Sequence, residues 1–249
     1  MQNCFENLQK IEFVVTYACT GKCRHCSEGE HSLSGCYIDG KIAADTVKRL
    51  VEAYPINTVM TFGGEPLLYP ESVFAIQSMA SDLGVLKRQV ITNGYFSKDV
   101  GFVSLVAKRL KESGVNDLLL SVDAFHQEFI PIDAVKRFAT FLLQEGVPVK
   151  AQPAWLGSKQ NENPYNLKTR LILQEFKSIG IDENDGNNVF PEGNALKNFP
   201  EYFIGKDVKN PYVQDNNDIK CLSFDPDGSV LGGNVYTQDI FEIMKAYKP

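Results

Sequence analysis

Three cysteines stand close together near the start of the chain, at Cys19, Cys23 and Cys26. Their spacing is C-x3-C-x2-C, and it follows an apolar run that is typical of a strand. Electron-transfer [4Fe-4S] clusters normally take four thiolates, so three cysteines would leave one iron open to another ligand. The alternative is a Cys3His zinc site completed by His25 or His31. Zinc sites usually carry two short cysteine or histidine pairs, so the spacing favours a cluster with an open iron.

A glycine-rich turn with a carboxylate, Gly63-Gly64-Glu65-Pro66, follows a second strand-like run. Ligands of parallel α/β folds bind at the carboxyl ends of the strands, which is where this turn would lie. Two glycines let the backbone approach a ligand closely, and a carboxylate beside them suits an ammonium group. The turn is therefore a candidate site for a ligand amine, with a purely structural turn as the alternative.

Polar residues also end the third and fourth strand-like runs. Thr92 and Asn93 end the third, where Asn93 and the following glycine could equally form a plain turn. Strand alternation directs Ser121 and Asp123, at the end of the fourth, to the same side. A hydroxyl and a carboxylate there could bind ribose hydroxyls, or Asp123 could cap the next turn. His126 follows as a candidate general base, with a packed histidine as the alternative.

In this order the motifs resemble those of the radical S-adenosylmethionine (SAM) superfamily, over residues 11–195. The resemblance implies that the three cysteines bind one [4Fe-4S] cluster and that its open iron chelates SAM. One electron from the cluster then cleaves SAM to methionine and a 5′-deoxyadenosyl radical. It also implies that Gly63, Gly64 and Glu65 receive the amino group, that Thr92 and Asn93 lie beside the SAM pocket, and that Ser121 and Asp123 bind the ribose. His25 stands where the family commonly has an aromatic residue near the adenine, with a solvent-facing histidine as the alternative.

The segment 190–195, with the sequence FPEGNA, resembles the P-x-G-R-A segment of many superfamily members. Asn194 takes the place of the arginine, so a planar, bidentate cation is lost. The backbone turn can survive this change, but a salt bridge from that position cannot.

Strand-like runs alternate with amphipathic segments about every 30 residues, the size of a strand–helix–strand unit. The strands are predicted at residues 11–16, 58–62, 89–92, 117–122, 147–152 and 187–190. Apolar residues at helical spacing predict five helices in 47–54, 76–83, 103–110, 135–142 and 172–179, four of them closed by Gly84, Gly114, Gly146 and Gly180. Six units predict an α/β fold with a parallel sheet, open or as an incomplete barrel. The resemblance implies a partial (β/α)6 TIM-like barrel.

The rhythm changes after residue 190, and residues 194–218, rich in Asn, Pro, Lys and Asp, predict a long connector. Apolar alternation around Asp225-Pro226-Asp227-Gly228 then predicts a short β-hairpin. Apolar residues from Ile240 to Tyr247 predict a last helix. We therefore expect two parts, a barrel over residues 1–195 and a C-terminal extension over residues 196–249.

Cys221, at the start of the predicted hairpin, resembles the opening of a SPASM or twitch extension, which carries auxiliary clusters in peptide-modifying members. The second cysteine of that pattern is missing from residues 231–234, and Cys4, Cys36 and Cys221 are far apart in the sequence. We therefore expect a degenerate extension and one cluster only. Cys221 or Cys36 could return a hydrogen atom to a substrate radical, or could be a small buried hydrophobe.

Composition narrows the remaining classes of function. The 249 residues carry a formal net charge of −6, which argues against a nucleic-acid binder. No stretch is apolar enough to span a membrane, and residues 1–10 lack the apolar core of a signal peptide. We therefore expect a cytoplasmic protein, in which six cysteines favour metal or catalytic roles over disulfides.

These features predict an enzyme that removes a hydrogen atom from a substrate. The twitch-like extension favours a ribosomally synthesised peptide, modified by epimerisation or cross-linking. The alternatives are a glycyl-radical-enzyme activase, a small-metabolite enzyme and, in another class, a non-catalytic zinc or iron–sulfur module. The expected partners are a peptide or small-molecule substrate and a reducing electron donor such as flavodoxin or ferredoxin, with no nucleic acid and no membrane.

Overall fold

Ten strands and seven α-helices make up the regular part of the chain, in a computed structural model that describes residues 4–249. Residues 1–3, which open the predicted first part, lie outside the described residues. The strands are Lys10–Thr16 (β1), Thr58–Gly63 (β2), Lys87–Thr92 (β3), Asp117–Ser121 (β4), Val149–Gln152 (β5), Ala154–Trp155 (β6), Asn187–Asn188 (β7), Cys221–Phe224 (β8), Ser229–Val230 (β9) and Gly233–Asn234 (β10). The helices are Gly40–Ala53 (α1), Pro70–Asp82 (α2), Val100–Glu112 (α3), Ile132–Gln144 (α4), Pro164–Ser178 (α5), Gly193–Asn198 (α6) and Ile240–Ala246 (α7).

Six of the strands form one parallel sheet in the order β5-β4-β3-β2-β1-β8. The edge strands β5 and β8 do not pair with each other, so the sheet stays open on that side. This is the predicted α/β fold with a partial TIM-like barrel. The predicted helices are present, and the four glycines expected to close them all have a positive φ.

The alternation along β1 separates the two faces of the sheet. Ile11, Phe13 and Val15 are fully buried in the main hydrophobic core. Glu12 and Val14 point the other way and line a cavity on the opposite face. The sheet therefore has one face packed in the core and one face available to ligands.

The sixth strand of the sheet differs from the one predicted. The segment 187–190 contributes only β7, which pairs with β6 in a separate two-stranded sheet. The sixth place is taken by β8, which pairs in parallel with β1 from Lys10 opposite Cys221 to Phe13 opposite Phe224. The reason is burial, since Leu222 and Phe224 are buried and the Phe224 ring stacks on Phe13 at 4.8 Å, whereas both residues of β7 are exposed.

The C-terminal hairpin is present, but its arms are β9 and β10 rather than β8 and β9. Leu231 and Gly232 at its tip both have a positive φ, as in a type I′ turn, and Leu231 is the non-glycine exception among the described residues. Asp225 to Gly228 instead form the tight turn that leads out of β8, closed by a 2.9 Å bond from the Gly228 N–H to the Asp225 carbonyl.

The division at residue 195 stays a prediction. One strand of the predicted extension, β8, belongs to the main sheet. Helix α7 follows the hairpin as expected, and its buried Ile240, Ile243 and Met244 join the main core. Within residues 4–249, none of the helices combines the length and the apolar character needed to cross a bilayer.

Candidate functional site

A cavity of about 610 Å³ lies on the ligand-facing side of the sheet and reaches the carboxyl ends of its strands. Most of the residues singled out in the sequence line it together, namely Cys19, Cys23, Cys26, His25, Gly63, Gly64, Thr92, Asn93, Ser121 and His126. Glu65, Asp123, Cys36 and Cys221, which were also singled out, are not among the residues that line it. The fold therefore brings the cysteine loop, the Gly63-Gly64 turn and the ends of β3 and β4 together around one cavity.

The loop after β1 carries the three cysteines as free thiols. The Gly21 N–H donates to the Cys19 sulfur at 3.3 Å. A Cβ atom at Gly21 would lie 3.2 Å from the Cys23 sulfur and 3.6 Å from that of Cys19, so glycine leaves room between the two thiols. Burial raises the pKa of Cys19 to about 12, and it also raises the pKa of Cys23 and Cys26. Without a metal these are neutral thiols, and a bound metal would have to displace their protons.

Asn194 holds the end of this loop from the start of α6. Its N–H donates to the Cys26 carbonyl at 2.8 Å, and its side-chain amide donates to the carbonyls of Gly29 at 2.9 Å and Cys23 at 3.3 Å. A Cβ atom at the preceding Gly193 would lie 2.2 Å from the Ser27 carbonyl oxygen. The Asn194 amide and Gly193 thus hold the cysteine loop by hydrogen bonds and close backbone contact, without a positively charged side chain.

The Glu65 carboxylate lies behind the cavity, which differs from the expected contact to a ligand amine. Its Oε1 accepts from the Leu67 N–H at 2.9 Å and from the Thr92 hydroxyl at 2.7 Å, and its Oε2 accepts from the Asn93 N–H at 2.7 Å. Burial raises its pKa to about 7, although these hydrogen bonds oppose the shift. Gly63 and Gly64 face the cavity, while Glu65 fixes the end of β3 relative to that turn.

The Asp123 carboxylate is likewise occupied, which differs from the expected contact to ribose hydroxyls. Its Oδ1 accepts from the N–H groups of Phe125 and His126, both at 2.9 Å. Its Oδ2 accepts from His126 Nδ1 at 2.8 Å and from the Ala154 N–H at 3.0 Å. Burial raises its pKa, but the positive charge and hydrogen bonds of His126 outweigh burial and lower it to about 2. Four protein donors thus surround this carboxylate, and one of them is the His126 ring that faces the cavity.

His25 and His126 form an aromatic wall beside Cys23. The ring of His25 lies 4.7 Å from that of Phe125 and 4.8 Å from that of His126. Burial lowers the pKa of His25 to about 4, so its imidazole is neutral. Its Nδ1 has no hydrogen-bond partner among the described residues. A ligand in the cavity could supply that partner.

Three histidines beside the cysteines bear on the zinc alternative. His31 Nε2 lies 3.1 Å from the Cys26 sulfur, and its Nδ1 lies 2.7 Å from the Tyr17 carbonyl. The ligand atoms of Cys23, His25 and His126 all lie within 4.8 Å of one another. The geometry of the histidines thus allows a metal near either cysteine.

Several cavity residues were not found in the sequence. Lys10 and Glu12 line it at the start of β1, and Asn210 and Tyr212 of the connector also line it. The signal for the first two was present, because charged residues alternate with apolar ones at the start of β1. No local pattern could have identified the connector residues, since their place depends on the path of the whole segment.

A family model for the Radical SAM superfamily matches residues 13–142, which is more than half of the chain. The chain therefore belongs to the radical SAM superfamily and is a radical SAM enzyme. The enzymes of this superfamily use a [4Fe-4S] cluster and SAM, so the predicted cofactors are confirmed. The non-catalytic zinc or iron–sulfur module is thereby set aside.

Among its relatives is a GTP 3',8-cyclase of Lactiplantibacillus plantarum, 29% identical over 239 residues, which are 90% of this chain and 65% of the relative. A GTP 3',8-cyclase of Vibrio vulnificus is 30% identical over 126 residues, 47% of this chain and 36% of the relative. The chain thus spans less than two thirds of the length of these relatives. The solved structure of anSMEcpe with bound AdoMet shares the fold, with a TM-score of 0.58 at 17% identity, over 96% of this chain and 80% of that one.

Proposed function

We propose that Cys19, Cys23 and Cys26 hold one [4Fe-4S] cluster with which this chain cleaves SAM and removes a hydrogen atom from a peptide or small molecule. The observation that carries the proposal is that the three cysteines and the Gly63-Gly64 turn line one cavity. When bound, the cluster supplies the electron that breaks a carbon–sulfur bond of SAM, and the resulting radical takes the hydrogen. The protein binds and orients SAM and the substrate, and it excludes water from them.

The contacts to SAM follow from which groups face the cavity. The backbone of Gly63 and Gly64 is proposed to receive the amino group, because the Glu65 carboxylate is occupied by protein donors. Ser121 remains the candidate for binding the ribose, because Ser121 lines the cavity and Asp123 does not. His25, with its unpartnered Nδ1, and His126, held by Asp123, are proposed to contact the nucleoside.

The cavity favours some substrates over others. The curated relatives are named for GTP, whereas a structure related in fold is anSMEcpe with bound AdoMet and a Cp18Cys peptide. The carboxylates of Glu12, Glu28, Glu192 and Asp225 line this cavity against one lysine, Lys10. A nucleoside triphosphate would meet a surplus of like charge there, so a peptide or an uncharged or zwitterionic small molecule fits better.

One cluster is proposed, as the sequence indicated. Cys4, Cys36 and Cys221 are not among the residues that line the cavity with Cys19, Cys23 and Cys26. Burial and the charge of Glu12 raise the pKa of Cys221 to about 12, so that it is a thiol with its hydrogen in place. Return of a hydrogen atom from Cys221 to a substrate radical stays a prediction, as do a cytoplasmic location and a flavodoxin or ferredoxin donor.

Anaerobic reconstitution followed by reduction with dithionite in the presence of SAM tests the proposed function. The wild type should release 5′-deoxyadenosine, and Cys23→Ala should release none above background. Cys36→Ala is the matched control, because Cys36 is an exposed thiol outside the cavity. Release that survives Cys23→Ala would refute the ligand role of that thiol.

A further inference from the structure

An ion pair lies at the start of β1, on the face of the sheet that lines the cavity. Lys10 Nζ and Glu12 Oε2 lie 2.7 Å apart at the start of β1, and their side chains are 31% and 19% exposed. Both residues line the same cavity as the cysteines. Charged groups in a partly buried lumen cost solvation energy, which apolar side chains in their place would avoid. Packing alone therefore does not explain why these two positions of the cavity are charged.

The neighbours of this pair on the same level of the sheet carry no unpaired charge. Ser223 pairs with Glu12 across β8, and Gln89 lies one strand further along the same level, next to Met60. Asp117, beside Gln89, accepts from Gln89 Nε2 at 2.5 Å, pairs with Lys87 at 2.9 Å and is not among the residues that line the cavity. The lysine and the glutamate thus neutralise each other beside groups that already have partners.

This balance restricts which ligand can bind. A ligand with one charge would pair with Lys10 or Glu12 and leave the other, partly buried, without a partner, which is unfavourable. A ligand with an ammonium and a carboxylate close together satisfies both at once, with its ammonium on Glu12 and its carboxylate on Lys10. Charge balance therefore selects a zwitterion.

An apolar layer separates this pair from the cysteine end of the cavity. Val14, Phe62, Ile91 and Leu119 each stand two residues further along their strands than the level of Glu12, and all four line the cavity. Two strand residues rise about 6.6 Å. A ligand that reaches from the ion pair towards the cysteines must pass this layer with an apolar segment of about that length.

We propose that the Lys10–Glu12 pair binds the α-ammonium and α-carboxylate of a free aliphatic amino acid, whose side chain crosses the apolar layer towards the cofactor end. The proposal rests on the proposed function and names its substrate class. It places the reacting carbon on the side chain, several ångströms from the α-carbon.

The test offers a mixture of uniformly deuterated free L-amino acids to the anaerobically reconstituted protein with SAM and dithionite. One carbon–deuterium bond of the amino acid breaks homolytically, and the deuterium atom forms the new bond at the 5′ carbon of 5′-deoxyadenosine. Mass spectrometry should find singly deuterated 5′-deoxyadenosine with the free mixture. With the same amino acids N-acetylated and C-amidated, the labelled product should fall at least about tenfold, and equal labelling would overturn the proposal.

Two neutralised variants locate the effect. Lys10→Met and Glu12→Gln should each lower labelling from the free amino acids at least about tenfold, because each removes the partner of one ligand charge and leaves one partly buried charge unpaired. The variant with both changes should give as much labelled 5′-deoxyadenosine from the free amino acids as from the blocked ones. The control is Lys136→Met with Glu175→Gln, an ion pair between α4 and α5 away from the cavity, which should label as the wild type does. Wild-type labelling in Glu12→Gln would contradict the proposal.

A binding measurement without reductant gives a second readout. Saturation-transfer NMR on the SAM-bound protein should show contacts to free aliphatic amino acids that disappear in the Lys10→Met and Glu12→Gln variants, with circular dichroism melting to confirm that the variants fold. If the wild type releases no 5′-deoxyadenosine, the proposed function fails. If it releases only unlabelled product and binds no free amino acid, the proposed function stands and the zwitterion site is refuted.

Discussion

Glu65 and Asp123 are buried carboxylates that organise the cavity from behind. Glu65 accepts three hydrogen bonds, from residues at the ends of β2 and β3, and Asp123 accepts four, from the turn after β4 and from β6. They thereby fix Asn93 and His126, which do line the cavity. Asn93 in turn points its amide at the Cys19 sulfur, at 3.5 Å. At the scale of single residues, the cavity depends on two carboxylates that do not line it.

Replacing Asp123 by Asn should destabilise the protein by about 2 kcal/mol at pH 7, in proportion to the pKa shift. The folded-state pKa is lowered from 3.8 to about 2, so the carboxylate contributes its full stability above pH 4. That contribution is lost as the pH falls towards 2, and the difference between the two proteins should shrink over that range. Urea unfolding under anaerobic conditions measures it. Asp45→Asn, at an exposed position of α1, should change stability by less than about 0.5 kcal/mol. An Asp123→Asn protein as stable as wild type at pH 7 would contradict this assignment.

Replacing Asn194 by Ala should loosen the cysteine loop. The change removes two side-chain hydrogen bonds, to the carbonyls of Cys23 and Gly29, each worth about 1 kcal/mol. Iron should then pass to a chelator about tenfold more readily from the reconstituted protein. Asn216→Ala, at an exposed connector position, is the control and should keep its iron as the wild type does. Equal release from both variants would show that Asn194 does not hold the loop.

At the scale of secondary structure, β8 links the C-terminal segment to the barrel. Its Leu222 and Phe224 belong to the main core, and its other face, with Ser223, lines the cavity. The same short strand thus serves both the packing of the sheet and the substrate side. The C-terminal segment is part of the machinery that forms the cavity.

Phe224→Ala should therefore cost about 3–5 kcal/mol, because it leaves a space against Phe13 in the core. Thermal or urea unfolding should show one transition at a lower midpoint. Val213→Ala in the connector, where the side chain is exposed, should stay within about 0.5 kcal/mol of wild type. A loss below 1 kcal/mol for Phe224→Ala would mean that β8 is not integral to the sheet.

The sequence predicted β1 to β5 and the helices between them well, since their apolar periodicity is local. It misplaced the sixth strand, because the choice between residues 187–190 and Cys221–Phe224 depends on a pairing with β1 across some 200 residues. The cysteines and glycines could be read from spacing. The direction of the Glu65 and Asp123 carboxylates could not, because backbone donors on neighbouring loops compete for them.

At the scale of the whole molecule, the proposed exclusion of nucleoside triphosphates depends on charge. The chain carries a net charge of −6, and the cavity has four carboxylates against one lysine. We expect GTP at about 1 mM to give no binding heat in calorimetry with the SAM-bound protein and no increase in 5′-deoxyadenosine. Micromolar binding of GTP would contradict the proposed exclusion of nucleoside triphosphates.

The central claim concerns a cluster with one iron that the protein leaves open. Electron–nuclear double resonance on the reduced, reconstituted protein tests it directly, with SAM that carries nitrogen-15 in its amino group. In a sample with about four irons per chain, we predict a coupling between that nitrogen and the cluster. A full cluster that shows no such coupling, or a protein that retains a single tetrahedral ion instead, would contradict the account.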